Sequence, residues 1–597
     1  MSEKIPAGVA AVKVLENWGV KNIYGIPGGS INSLMDALLS EKDRIHYVQV
    51  RHEEVGAMAA SMHAKMTGHI GVCFGSAGPG GTHLMNGLYD AREDKVPVLA
   101  LIGQSATASM NMDTFQEMNE DPIYADVAVY HRVAMTADQL PHLIDEGIRR
   151  AYRNHGVSVI QLPVDLGWKE IDSADWFDAS KDYQQPVLAD PSDAEIDKAL
   201  EILVNAERPI IFAGIGLRGA GDELVKLSKA LKAPIMVSAL AVDIIDGEYE
   251  GFMGSFGRVA RKPANEAIAH ADTVLMLGTN QPFIEVAHMY SGVKHIIQVD
   301  VDPAMLGKRQ RTELAILADG KKVVSALNKK LAPQPESAWW RANVKNIANW
   351  NAYVKHLEES TEAPLTYYQA YNAVNHAATK DAIFSIDVGD VTMISARHLR
   401  LGKGQMWRTS GLFASMGIGL PGSITAKLDF PDRQVWSLSG DGGFSMVMQD
   451  LVTQAKEKLG IINVVFSNDS FGFIKDEQEG TNKGFYGIEL QGIDFAKIAE
   501  AMGAKGYTAT KQSELEGIFA KAVEDVKKGV PVVIDVKISN ESPLPTMTME
   551  LDPDKFSSEQ IAAFKKRYHA EGLVPFSQYL KEEGLENTGT KLVDGGF

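Results

Sequence analysis

The chain of 597 residues has a single cysteine, Cys73. A disulfide within the chain and a metal site built on several cysteines are therefore excluded, and a reducing, cytoplasmic setting is expected. Basic residues are also scarce: 59 Lys and Arg stand against 77 Asp and Glu, a formal charge of -18. A field of that sign repels nucleic-acid phosphates and anionic membrane surfaces, so neither is expected as a partner. Long apolar runs are missing too. Stretches such as Val96 to Ile102 fall far short of the ~20 residues needed to cross a bilayer. Met1 to Val20 carries Glu3 and Glu16 and lacks the basic-then-apolar order of a signal peptide. Gly and Pro are too few and too scattered for a fibrous chain. What remains has the composition of a globular protein, 45% hydrophobic and 23% charged.

Strand, turn and helix patterns alternate along the chain and divide it into three blocks. In the first, a helix with Ala11, Leu15 and Trp18 on one face ends at Gly19. The strand Asn22 to Ile26 then runs into a turn at Pro27 to Ser30, and the helix Ile31 to Leu39 follows. Ile45 to Val50 before the helix Glu54 to Met66, and Ile70 to Phe74 before Gly75 to Gly81, repeat the unit. A polar stretch with Pro186 and Pro191 separates this block from a second, which holds the strands Pro209 to Ala213, Thr273 to Leu277, Ile296 to Val299 and Ala315 to Ala318. A helical connector, Trp339 to Glu359, leads to a third with Val435 to Ser439, Ile461 to Phe466 and Val532 to Val536. Their continuous apolarity suits strands covered on both faces. The expectation is an α/β protein of three doubly wound parallel-sheet domains, 1–185, 186–340 and 360–540, with a C-terminal extension, 541–597. The first and third blocks match in length and alternation, which permits a shared fold. In the extension, Ile561, Phe564 and Tyr568 mark an amphipathic stretch.

The sharpest chemical signal is Gly440, Asp441, Gly442 after a strand, then a helix from about Ser445, then a strand that delivers Asn468. Both polar residues end strands, and ligands of open α/β sheets bind beyond the carboxyl ends of strands. Gly442 and Gly443 would let a phosphate approach the helix amides. Asp441, Asn468 and the carbonyl of Ser470 form an oxygen-only set of the kind Mg²⁺ takes together with phosphate. Taken alone, Gly-Asp-Gly is more often a turn; its strand-helix-strand context favours the site. In the middle block, Gly214 and Gly216 follow one strand and Gly278 and Asn280 another, while Asp300, Asp302 and Asp319 follow two more. That layout places small turns near a diphosphate and carboxylates near ribose hydroxyls, as in a nucleotide site.

Asn468 follows Asp441 after 27 residues, and in this the chain resembles the thiamine-diphosphate enzymes, whose Gly-Asp-Gly is followed by an Asn about 25 to 30 residues on. Arg51 to Glu54, Gly75 to Gly81, Asn111 to Glu117 and Phe471 to Glu479 extend the resemblance to the acetyl-phosphate-forming pyruvate oxidases over nearly the whole chain. The resemblance implies a pyrimidine-binding first domain, an FAD-binding middle domain and a diphosphate- and Mg²⁺-binding third domain. It also implies homotetramers with active sites between subunits, and pyruvate, phosphate and O₂ as substrates.

It further implies that Glu53 hydrogen-bonds the aminopyrimidine of thiamine diphosphate and relays a proton; a helix N-terminal Glu opposing the macrodipole is the plain alternative. Met416 would be the apolar wedge under the bent cofactor and Val388 a second cofactor-facing residue, although each also reads as core. Phe115 and Gln116 would come from a partner subunit to the substrate. Phe473 and Ile474 would lie between thiamine and flavin, with Glu477 at the substrate or phosphate. Arg258 would stand beside the flavin, or be a surface charge. The products implied are acetyl phosphate, CO₂ and H₂O₂. Rival readings are an acetolactate synthase-type carboligase, a quinone-linked pyruvate oxidase that releases acetate, and a non-catalytic protein on the same fold.

Overall fold

The structure is a computed structural model, which describes residues 3–173, 176–279, 289–290, 292–481, 483–543, 551, 553–570 and 572–586. Three six-stranded sheets, parallel throughout, organise them. The first is ordered His46–Gln49, Asn22–Gly25, Gly71–Gly75, Val98–Gln104, Val157–Pro163, Ala128–Val133. The third is ordered Met406–Arg408, Ile383–Ile386, Val435–Gly440, Ile461–Ser467, Val532–Lys537, Lys505–Ala509. Numbered within each unit, both follow the order 2-1-3-4-6-5, so the first and third units share one topology. The middle sheet runs Phe252–Ser255, Ile235–Val237, Pro209–Ala213, Thr273–Leu277, His295–Asp300, Leu314–Leu317, which is 3-2-1-4-5-6. In each sheet the order reverses beside its first strand, and crevices for ligands open at such points.

Hydrophobic continuity explains the central strands: Val98–Gln104, Val157–Pro163 and Ile461–Ser467 are buried at every residue. The same logic governs the helix Glu53–Thr67, whose buried residues include Gly56, Ala57, Ala59, Ala60, Ser61 and Ala64. Small side chains let its backbone be approached from several sides. A Cβ at Gly71 would overlap the Ala60 carbonyl, and one at Gly87 would come within 2.5 Å of the Met58 amide. From the third unit, the helix Gly419–Asp429 closes the remaining side, where a Cβ at Gly422 would stand 2.5 Å from Met62. Met58 and Met62 thus share a core with Ile418, Ile424 and Phe444. Polar ties cross the same seam: the Tyr24 hydroxyl donates to Thr425 at 2.8 Å, and His63 pairs with Asp429 at 2.6 Å.

The extension beyond residue 570 docks on the middle unit. Phe576 and Leu580, from the helix Phe576–Glu582, are buried with Trp339 and Ile347 of the connector helix Ala338–Glu358. The buried Lys262 donates to Glu266 at 2.7 Å, to Asn346 at 3.1 Å and to the Val574 carbonyl at 3.0 Å. Asn280 and the final Gly-rich stretch lie outside the described residues. No helix among the described residues is long and apolar enough to cross a membrane.

Most expected elements recur within a residue or two, with one correction of substance. The helix after the Gly-Asp-Gly does not begin near Ser445; it is Asp441–Val447 and starts on the aspartate itself. An acidic side chain is favoured in the first turn, where amides lack intrahelical partners. The glycines are tolerated because they are packed, with a Cβ at Gly443 only 2.7 Å from Asp387 and one at Gly442 2.7 Å from Phe471.

Replacing Phe576 by Ala is expected to weaken the docking of the extension by about 3 kcal/mol. Hydrogen exchange should show faster exchange over 572–586 with the third unit unchanged. Undiminished protection of that segment would contradict the docking.

Candidate active site

At the carboxyl end of Val435–Gly440, Asp441 turns inward and is buried. One carboxylate oxygen accepts the amides of Asn468 and Asp469 at 3.1 and 2.7 Å, and the other accepts that of Gly442 at 2.8 Å. Two strand ends are thereby laced together. Burial pushes the Asp441 carboxyl up to about 6, against the pull of those amides. Asn468 accepts the Ser470 amide at 3.2 Å, and the Ser470 hydroxyl is buried without a hydrogen-bond partner among the described residues. The donors that converge here are all oxygens, and the aspartate's charge is poorly solvated, a combination that suits a hard cation such as Mg²⁺. Beside it, Asp387 accepts the Val388 and Gly417 amides at 2.8 and 2.7 Å, tying Val388 to the loop of Met416. Val388 is half-buried against the core shared by the first and third units; Met416 is also half-buried. That loop is anchored from the first unit by Asp94, which accepts the Gly411 and Leu412 amides at 2.9 and 3.1 Å. Asp94 in turn pairs with the buried Lys65 at 2.6 Å.

Glu53 is buried at the start of its helix and hydrogen-bonds His83 at 2.9 Å. His83 closes the short helix Pro79–His83, so the Gly75 to Gly81 turn is folded against the glutamate; a Cβ at Gly80 would lie 3.4 Å from it. The Phe115 and Gln116 loop, which follows the strand Val98–Gln104, lies against the same turn. Gln116 has φ of 63°, and its carbonyl would be 2.7 Å from a Cβ at Gly78. Phe115 is 89% exposed. Holding the loop's base is Glu120, a buried acid that accepts the Gly78 amide at 2.8 Å and that burial pushes up to about 7.

The helix Gly472–Thr481 carries Phe473, Ile474 and Glu477. Arg258 of the middle unit reaches it, pairing with Glu477 at 2.9 Å and lying over the Phe473 ring at 5.8 Å. Arg258 thus bridges two units. Gly472 is seated so closely on Asp390 that a Cβ there would overlap the carboxylate. Burial, with Asp476 nearby, raises the Asp390 carboxyl. In the middle unit, Gly214, Gly216 and Gly278 are pressed together where the sheet order reverses: a Cβ at Gly216 would stand 2.9 Å from the Gly278 Cα, and Gly278 has φ of 57°. Such a turn leaves room for a diphosphate against bare backbone. Asp300 is buried and accepts the Asp302 amide at 2.9 Å. The other two carboxylates already have partners: Asp302 accepts the Ala304 amide at 3.0 Å and pairs with Lys95 at 3.2 Å, and Asp319 caps the helix Gly320–Lys330 through Lys321 at 2.9 Å.

This arrangement has relatives. The family models for the thiamine pyrophosphate enzymes match in chain order: the N-terminal TPP binding domain over residues 7–123, the central domain over 196–327 and the C-terminal TPP binding domain over 387–536. Over 594 residues, 99% of this chain and 98% of that protein, the sequence is 53% identical to a pyruvate oxidase of Lactiplantibacillus plantarum. The chain belongs to the thiamine pyrophosphate enzymes. The protein YdaP of Bacillus subtilis is 38% identical over 90% of this chain and 92% of its own. The acetolactate synthase isozyme 1 large subunit of Escherichia coli K12 is 27% identical over 89% and 93%.

For this thiamine pyrophosphate enzyme, the structure joins Asp441, Asn468 and Ser470 in one cluster, Val388 and Met416 through Asp387 in a second, and Arg258, Phe473 and Glu477 in a third. Ile474 is 45% exposed on the same helix. No hydrogen bond or ion pair among the described residues joins Glu53 to the Asp441 cluster of its own chain. Residues that sequence reasoning passed over are His83, Asp94, Glu120, Asp387 and Asp390. Each acts on a partner distant in sequence or on backbone amides, which leaves no local pattern; only the position of Asp387 beside Val388 at a strand end offered a signal.

Because Glu120 is held above the ordinary glutamate range in the fold, its contribution to stability is present below about pH 4.5 and lost as pH rises through 7. Glu120→Gln should flatten the fall in melting temperature between pH 5 and 8, a difference of at most about 3 kcal/mol. Identical pH profiles for the two proteins would remove Glu120 from that role.

Proposed function

We propose that this enzyme converts pyruvate, phosphate and O₂ to acetyl phosphate, CO₂ and H₂O₂, with thiamine diphosphate, Mg²⁺ and FAD as cofactors. The observation that carries the reading is the 53% identity with a pyruvate oxidase across 99% of the chain. The acetolactate synthase relative, at 27%, stands much further off. When bound, thiamine diphosphate supplies the carbanion chemistry that cleaves a 2-oxo acid, and FAD accepts the electrons.

The protein's own residues divide the remaining work. Residues 1–185 bind the aminopyrimidine, 186–340 the flavin and 360–540 the diphosphate, while residues 572–586 of the C-terminal extension reinforce the middle unit. Asp441, Asn468 and the Ser470 carbonyl hold Mg²⁺, and the side-chain-free backbone of Gly440, Gly442 and Gly443 borders the diphosphate. Glu53, screened from water, holds a proton at the pyrimidine ring and so promotes the ionisation that starts the reaction. Met416 and Val388 shape the apolar floor. Phe473 and Ile474 separate the two cofactors and exclude water, and Phe115 and Gln116 confine the substrate so that a short 2-oxo acid fits best. Glu477, paired with Arg258, offers phosphate a site beside the flavin. Gly214, Gly216 and Gly278, with Asn280, cradle the FAD diphosphate, and Asp300 and Asp302 face its ribose; Asp319 serves there by fixing a helix end.

The enzyme works in the cytoplasm as a homotetramer with active sites between subunits. Support comes from Phe115, Met112, Leu412, Phe413, Phe485 and Tyr486, large apolar side chains left exposed on loops of the first and third units. A quinone-linked enzyme recruited to membranes fits less well, because the described extension spends Phe576 and Leu580 on the middle unit's core.

Oxygen uptake on adding pyruvate to protein supplied with the three cofactors is expected to require phosphate and to yield acetyl phosphate and peroxide. Pyruvate consumed without oxygen uptake would refute the oxidase. Two substitutions check the assignments. Glu53→Gln should leave cofactor affinity nearly unchanged yet slow turnover at least about a hundredfold. Asp441→Ala should lose Mg²⁺-dependent retention of thiamine diphosphate in dialysis, and tight retention would move the metal elsewhere.

A further inference from the structure

His52 precedes the helix Glu53–Thr67 at its N-cap, in extended conformation, and takes no part in the proton step proposed above. Its ring stacks on that of His83, with centroids 4.4 Å apart and planes 27° from parallel. One ring nitrogen from each histidine and one Glu53 carboxylate oxygen lie within 4.8 Å of one another, the one such grouping of His, Cys, Asp and Glu among the described residues. Behind it stands Glu54, whose carboxylate is 3.6 Å from His52 Nδ1 and accepts a hydrogen bond from Asn86.

Two imidazoles and a carboxylate are the donor set of a zinc centre with an open fourth position. Tetrahedral bonds of about 2.0–2.1 Å set donor atoms about 3.3 Å apart, so small side-chain rotations suffice. A carboxylate behind a ligating histidine is the usual outer support for such a centre. The charges agree as well, since Glu53 and Glu54 together balance a dication and outweigh the helix's partial positive end. Mg²⁺ disfavours nitrogen donors, so this chemistry separates the grouping from the oxygen-only cluster at Asp441. Both histidine side chains reach solvent, which gives an ion a way in.

We propose that His52, Glu53 and His83 form a site for Zn²⁺ or a similar first-row dication, and that an ion held there bars the aminopyrimidine and blocks loading of thiamine diphosphate. The blocking half rests on Glu53 being the pyrimidine's partner.

The test uses full-length apoprotein, free of thiamine diphosphate and Mg²⁺. In equilibrium dialysis the wild type should retain one Zn²⁺ per chain at this site, and His52→Gln should bind it at least about tenfold more weakly. His52→Asn serves as a second variant if the first folds poorly. Added zinc should slow cofactor loading, followed by quenching of protein fluorescence, in the wild type but not in His52→Gln. Without zinc, His52→Gln should keep oxygen uptake within about threefold of wild type, a removed ligand being no part of the reaction. A wild type that retains no zinc, or a variant that retains it equally, would overturn the site. Zinc that binds through His52 yet leaves loading unchanged would uphold the site and refute Glu53 as the pyrimidine's partner.

Discussion

Close packing around the helix Glu53–Thr67 is the constraint on which the rest of the molecule depends. A helix buried on several sides cannot carry bulky side chains all round, and this one meets the first sheet at Gly71, a neighbouring helix at Gly87 and the third unit at Gly422. Its position fixes the orientation of the first unit against the third. The candidate catalytic glutamate stands at its N-terminus, and Lys65 near its other end pairs with Asp94, which anchors the loop of Met416. One element therefore sets the position of Glu53, the loop of Met416 and the seam between two units. A change of a few tenths of an ångström along that seam would be felt at each of them.

Electrostatics adds a second theme. Asp387, Asp441 and Asp450 are buried acids that burial holds near 6, and Glu120 is held near 7. Such groups are a cost to the folded apoprotein near neutral pH, because their ionised forms have lost water without gaining a full countercharge. At Asp441 the cation proposed above would supply the missing charge. Binding of that cation would then couple site occupancy to protein stability.

Much of this was legible in the sequence. Continuous apolar strands ending in Gly, Asp or Asn announced parallel sheets with polar crests, and the Asp441 to Asn468 spacing placed two strand ends side by side. The structure adds that the first and third units share a strand order. What could not be read were pairings across hundreds of residues. The Arg51 amide on Asp450, and Asp94 under Gly411, join positions that no periodicity connects. A local contact went unread as well: Asp319, at a strand end where a nucleotide carboxylate is expected, also caps a helix. His83 was invisible as a partner of Glu53 because a lone histidine after a glycine-rich turn carries no pattern of its own.

If the active sites lie between subunits, as proposed, Glu53 of one subunit and the Asp441 cluster of another complete a single site. Mixing and reassociating Glu53→Gln and Asp441→Ala subunits, each nearly inactive alone, tests it most directly. If sites form across a two-fold interface, half of the randomly paired dimers are mixed and each has one intact site, so turnover should rise to about a quarter of wild type. Turnover that never exceeds that of either parent would place both residues in the same subunit's site and contradict the account.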